Sequence, residues 1–243
     1  MNLFESCWDN LFILLFLKNQ WKSLIFQDSN RLNILKLTFY HDKALMMLIA
    51  IRLMIAGGLV LFGVNKYFSF EYMEFQLLEF LWTVLPAFVL LAMAFPSIKA
   101  LYYLDEIMKR VFSIKVIGHQ WYWSYEYPFI TKNATYDRFM KQTNDLETGE
   151  FRLLDTTTNI VLFNKVITQV IVTSSDVLHS WTVPVLGIKL DATPGRIGQA
   201  ACFPLYRGVF YGQCSEICGV NHRFMPVKVE VLSNSEILSF ENI

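Results

Sequence analysis

Two long apolar runs separated by a short mixed connector constrain this chain more than any other feature. Ala44–Val64 carries one charge, Arg52, and as a helix would extend ~32 Å at 1.5 Å per residue, enough to cross a bilayer. Phe80–Ile98 carries none and would extend ~28 Å. Pro86 and Pro96 lie inside it, as membrane helices tolerate. Joined by Asn65–Glu79, the two runs predict a helical hairpin with both termini on one aqueous side. Composition agrees: only 17% of the residues are charged and 54% are hydrophobic, whereas a soluble domain carries about 25% charged residues. Two buried helices of a soluble bundle are the alternative. A mid-membrane Arg costs ~2.5–3.5 kcal/mol on insertion scales, so Arg52 is expected to snorkel or to pair with another polypeptide. Lys66 set against Glu71 and Glu74 gives no orientation from loop charge. Residues 1–43 are expected to form an irregular arm or interfacial segment. Leu11–Leu17 is too short to span, and Glu5 and Asp9 sit where a secretory signal needs basic residues.

Beyond Arg110 the period changes. Val166, Val170 and Val172 alternate with polar residues, as do Val227, Val229 and Val231, which is the strand signature. Turn signals at Thr148-Gly149, Val183-Pro184 and Thr193-Pro194-Gly195 separate such runs. Residues 111–232 are therefore expected to form a compact antiparallel β sandwich or barrel. Lys+Arg and Asp+Glu both total 21, so the chain lacks the basic surface that nucleic acid requires.

The chemistry concentrates in Tyr211–Met225, which reads Cys214-x3-Cys218-x3-His222-x2-Met225. Thiolate and thioether are soft donors, and with imidazole they suit copper. Gly219 allows a tight turn, so these side chains can point at one spot. One Cys with His and Met would make a mononuclear site; a second Cys allows two sulfurs to bridge two metals. Each metal then needs an imidazole. His222 supplies one, and His179, at the end of a predicted strand, is the natural second among the four histidines. A tetrahedral zinc site or a Cys214–Cys218 disulfide are the competing readings. The aromatic run Trp121, Tyr122, Trp123, Tyr125, Tyr127 reads on its own mostly as an interfacial belt near a membrane.

The chain resembles cytochrome c oxidase subunit II. The resemblance rests on Gly118-His119-Gln120-Trp121-Tyr122-Trp123-Ser124-Tyr125-Glu126-Tyr127, on Asp176-Val177-Leu178-His179-Ser180-Trp181, and on Leu190-Asp191-Ala192-Thr193-Pro194-Gly195-Arg196. The cysteine loop and Trp82-Thr83-Val84-Leu85-Pro86 match as well, and the likeness runs from about Phe26 to Leu232. It implies an N-terminal transmembrane helical hairpin followed by an all-β cupredoxin-like Greek-key barrel. The corresponding division is an arm over 1–43, the hairpin over 44–101, a linker over 102–110 and the copper domain with a short tail over 111–243.

The resemblance further implies a dinuclear copper (CuA) centre ligated by His179, Cys214, Cys218, His222 and Met225, with the backbone carbonyl of Glu216. It implies that the Glu216 carboxylate helps bind a magnesium ion shared with subunit I. Trp121 would be the electron entrance and Glu79 the entrance of a proton path. The expected activity is acceptance of electrons from cytochrome c and their transfer to the haem-copper subunit I, which reduces oxygen to water coupled to proton pumping. The expected partners are subunit I, other oxidase subunits, cytochrome c and membrane lipid. The expected location is the mitochondrial inner membrane, with the copper domain in the intermembrane space. His119 is expected to be structural. The acids that commonly follow the Ser-Tyr-Glu-Tyr motif are replaced here by Pro128-Phe129-Ile130-Thr131-Lys132-Asn133, which leaves Glu126, Asp137, Asp155 and Asp176 as candidate docking acids. A quinol oxidase subunit would lack the copper ligands, and a copper-storage module would not explain Glu79, Trp121 and Glu216.

Overall fold

A computed structural model describes residues 26–67, 74–105, 112–128 and 135–233. Cys7, residues 1–25 of the arm, residues 106–110 of the linker and the tail beyond residue 233 lie outside the described residues. The chain divides into two compact units: Leu35–Leu104, and the residues up to Ile34 together with those from Asp105 onward.

The first unit is helical. Helix α1 spans Leu32–Val64 and helix α2 spans Gln76–Asp105. Both outrun the apolar stretches read from the sequence: α1 begins at Leu32 rather than Ala44, and α2 continues to Asp105. Residues 32–43 contain no Gly or Pro and several good helix formers, so the helix continues where an irregular or interfacial arm was expected. The spanning stretches bury none of their residues within the structure. Leu53, Leu59, Phe62, Leu85, Leu90 and Phe95 are all exposed. Helices apolar on every side and cored by nothing are built for lipid, which removes the soluble-bundle alternative. Arg52 is exposed, with no ion-pair partner among the described residues.

The second unit is a β domain with ten strands among the described residues: β1 (Phe112–His119), β2 (Tyr122–Glu126), β3 (Thr135–Arg138), β4 (Ile160–Phe163), β5 (Thr168–Ser174), β6 (His179–Val183), β7 (Ile188–Ala192), β8 (Gly198–Cys202), β9 (Gly208–Gln213) and β10 (Pro226–Leu232). They form sheets of order β3-β2-β1-β5-β8, β4-β10-β9 and β6-β7. The expectation of a purely antiparallel domain is corrected in two places: β1 pairs with β5 in parallel, and β10 with β4. Strand alternation alone cannot distinguish the two directions, because both ladders bury every second residue. Val166 lies ahead of β5, while Val170 and Val172 fall within it.

The core of this unit is assembled from Val116, Trp123, Tyr125, Val170, Val172, Trp181, Leu186, Val227 and Val229. Trp123, Tyr125 and Tyr127 are buried, so the interfacial-belt reading of those aromatics is wrong. Their spacing of two aims all three at one face of β2 and the residue after it. The Trp181 indole N–H donates to the Tyr125 hydroxyl at 3.2 Å, and the Val161 N–H donates to the Tyr127 hydroxyl at 3.1 Å.

Residues ahead of the first membrane helix belong to this domain. Asn30 donates its backbone N–H to Val185 O, and its side-chain oxygen accepts the N–H groups of Leu205 and Tyr206 at 2.9 and 2.6 Å. Ile34 is buried against Gly187. Gly187 adopts φ +60°, and a Cβ there would lie 2.2 Å from Ile34 Cγ1, so both conformation and space require glycine.

Candidate metal centre

The β9–β10 ladder sets Gln213 opposite Pro226, which brings the adjoining Cys214 and Met225 side by side. The Cys214 N–H donates to the Met225 carbonyl at 3.3 Å, closing the intervening loop at its base. His179 opens β6, and the Ser215 N–H donates to Ser180 O at 3.0 Å, tying the loop to that strand. At Gly219 the backbone takes φ +127°, and a Cβ would sit 3.1 Å from both Gln120 Nε2 and Trp121 Nε1.

One atom from each of His179, Cys214 and Cys218 lies within 4.8 Å of the other two, and all three residues are buried. Cys214 Sγ is 3.9 Å from His179 Nδ1 and 3.3 Å from the Glu216 carbonyl oxygen. Cys218 Sγ is 3.5 Å from His222 Nδ1 and 3.4 Å from Met225 Sδ. The structure therefore brings together two sulfurs, two imidazoles, one thioether and one carbonyl. The Glu216 side chain itself is exposed. Trp121 is partly buried, packed beside Gly219, and its indole N–H has no hydrogen-bond partner among the described residues. Glu79 belongs to the helical unit, in the first turn of α2, and is not part of this group.

The electrostatics of the group are those of a cation site. Burial alone would raise the Cys214 thiol, but hydrogen bonding to His179 and to the backbone brings it below the ordinary thiol range. Cys218 is pushed up, first by burial and then by the neighbouring Cys214. One thiolate forms readily and the second resists for want of positive charge, which a metal ion would supply. Burial works against a charged His179, while Cys214 and Asp176 raise its affinity for a proton above the usual. Asp176 Oδ1 lies 2.8 Å from His179 Nε2. A carboxylate only accepts, so Nε2 carries the hydrogen that faces Asp176 and Nδ1 is the ring nitrogen turned to the sulfur side.

Sequence reasoning placed Asp176 among the docking acids and missed this orienting contact. A carboxylate three residues before a candidate ligand histidine was the available signal. Gln120 was missed as well: its Nε2 donates to the Cys218 carbonyl at 2.8 Å, and its backbone N–H to Asp176 at 2.6 Å. Asp155 is fully buried and ion-paired with Lys228, which removes it as a docking acid. Glu126 pairs with Lys115, and Asp137 accepts the Ser124 hydroxyl. His119 stacks on Tyr122 with 4.6 Å between ring centroids and bonds the Ser175 hydroxyl, a structural role. The disulfide reading of the cysteine pair is not what the structure holds, since Cys214, Cys218 and Cys202 are free thiols.

A pair of helices long and apolar enough to cross a membrane, joined to a β domain that buries a His/Cys/Cys group able to hold copper, defines the class of membrane-anchored, cupredoxin-like proteins with a candidate metal site. Comparison with known proteins narrows this. Residues 112–232 match the family model for cytochrome c oxidase subunit II, periplasmic domain, and residues 19–100 match that for its transmembrane domain. Cytochrome c oxidase subunit 2 of Aedes aegypti is 47% identical over 210 residues, covering 86% of this chain and 92% of the relative. The Drosophila melanogaster counterpart is 46% identical with the same coverage. Among solved structures, the periplasmic domain of subunit II of cytochrome oxidase from Bradyrhizobium japonicum matches with TM-score 0.51 and 36% identity. That match covers 56% of this chain and 95% of that domain. The chain belongs to the cytochrome c oxidase subunit II family.

Proposed function

We propose that this chain accepts electrons from cytochrome c at a dinuclear copper (CuA) centre and passes them to the haem-copper subunit I, where oxygen is reduced to water with proton pumping. The observation that carries the reading is the convergence of His179, Cys214, Cys218, His222, Met225 and the Glu216 carbonyl on one buried locus. The donor set fits copper: two thiols, two imidazoles and a thioether are soft to borderline donors, and a thioether in contact with a thiol disfavours zinc. Copper held there by His179, Cys214, Cys218, His222 and Met225 would supply a one-electron carrier.

The residues of the chain do the rest. Asp176 holds the His179 ring and its tautomer. Gln120 grips the carbonyl of Cys218 and so keeps the Trp121 segment against the loop. Trp121, packed on Gly219 next to Cys218, is the proposed electron entrance. The buried surroundings exclude water from the sulfurs. Glu79 is proposed as a proton-path entrance, and the exposed Glu216 carboxylate as a magnesium ligand shared with subunit I. The Phe-rich composition, with 21 Phe, and insect relatives at 46–47% identity support a mitochondrial inner-membrane location, with the β domain in the intermembrane space.

Elemental analysis and electron spin resonance of the copper-loaded chain test this reading. Two coppers per chain are expected, with one unpaired electron spread over both. Cys214→Ser should collapse that signal to a mononuclear spectrum. A single copper, or zinc that copper cannot displace, overturns the assignment. Trp121→Phe should slow reduction by cytochrome c and leave the copper spectrum unchanged.

A further inference from the structure

The helical unit carries a feature that electron transfer does not use. Lys36, Phe39, Tyr40 and Lys43 on α1 face Pro96, Lys99, Ala100 and Tyr103 on α2 across a cavity of about 310 Å³. On each helix these residues recur three or four positions apart, so each set shares one face. The Lys36 ammonium lies 3.0 Å from the centroid of the Tyr103 ring, and the Lys43 ammonium 4.2 Å from that of Phe39. None of the three lysines has a carboxylate partner among the described residues. The acid nearest in sequence, Asp42, is engaged by His41 at 3.2 Å.

The depth of the cavity follows from the sequence. Lys43 immediately precedes the apolar run Ala44–Val64, and Lys99 immediately follows the apolar run Phe80–Ile98. In a two-helix hairpin those two positions lie at the same membrane surface. Lys36 stands two turns further out on α1, ~10 Å by helical rise. The cavity therefore occupies the headgroup layer, where its tyrosines also belong. Three uncompensated ammonium groups around a concave cell at that depth match a phosphodiester, and basic pockets between membrane helices take anionic headgroups.

The geometry points to a binding site for the headgroup of an anionic phospholipid, formed by Lys36, Lys43 and Lys99 with Tyr40 and Tyr103 as its walls. A lipid satisfies both halves of the site: its phosphate meets the lysines while its acyl chains follow the bare apolar faces of α1 and α2. An acidic protein segment would satisfy only the charge.

The test uses the full chain in phosphatidylcholine nanodiscs containing spin-labelled phosphatidylglycerol, compared with spin-labelled phosphatidylcholine. The motionally restricted component should favour phosphatidylglycerol, by about fivefold for each lysine engaged. Replacing all three lysines with Gln should abolish the preference, and replacing them with Arg should retain it. Lys189→Gln in the β domain should change nothing. Should the triple variant lose helicity, Lys99→Gln alone should still lower the preference severalfold. Three results overturn the proposal. The first is an undiminished preference in the Gln variants. The second is displacement of the labelled lipid by excess inorganic phosphate, which would make this a free-anion site. The third is no lipid preference in wild type, with carbodiimide coupling the lysines to a carboxylate of a neighbouring subunit in the assembled oxidase.

Discussion

The helical unit and the β domain are both rich in large apolar side chains and dispose of them in opposite ways. Leu90 in α2 is 68% exposed, whereas Trp181 in β6 is 1% exposed. The β domain closes around its own core and satisfies its backbone through ladders between strands distant in sequence. The helices satisfy their backbones internally and leave their side chains bare. One unit is stabilised by its own packing and the other by its solvent, which must be lipid or neighbouring helices.

The largest effect expected from this contrast comes from truncating matched large residues. Trp181→Ala should destabilise the β domain by about 3–5 kcal/mol, seen as a lower midpoint when its near-ultraviolet circular dichroism is followed on heating in detergent. Leu90→Ala should leave that transition in place. Equal shifts would break the contrast, because they would mean that the two units fold as one.

A smaller effect is expected at the point where the contrast is least obvious. Ile34 lies within α1 yet is buried with the β domain. Ile34→Ala should cost the β domain about 2 kcal/mol or more, whereas Leu59→Ala, further along the same helix, should cost it nothing. The same thermal transition checks both variants.

A further effect is set by pH. Burial pushes Tyr127 and Tyr211 up to about 12 and raises Tyr125 as well. In the unfolded chain these phenols ionise near about 10. Between those values the unfolded state binds fewer protons, so stability falls as pH rises. The contribution is complete below about pH 10 and fades towards about pH 12. Ultraviolet titration of the phenols alongside urea unfolding should show late ionisation and loss of the β domain over the same interval.

Much of this was legible in the sequence. The hairpin was, because a run of apolar residues long enough to span has few other uses. Its ends were not: residues 32–43 mix charge with apolarity, and such a segment reads equally as arm or helix. The candidate metal loop was legible because soft donors at spacings of four, four and three residues fold back on one point. The acids were harder. Asp155 and Asp176 look alike in sequence, yet one is buried against Lys228 and the other holds His179. Only the loops around them decide which. Trp123, Tyr125 and Tyr127 showed their strand period plainly, and the membrane nearby in sequence drew them to the wrong surface.

The Asn30–Ile34 segment has a consequence for how the molecule is made. Its hydrogen bonds and its buried isoleucine complete a domain whose remaining strands are synthesised only after both membrane helices. Asn30 and Ile34 are therefore made before every strand of that domain and must wait, unpartnered, for Val185, Gly187, Leu205 and Tyr206 to arrive. Closure of the domain is thereby tied to the order of synthesis, and loss of the Asn30–Ile34 contacts leaves its last-made loops without their earliest partner.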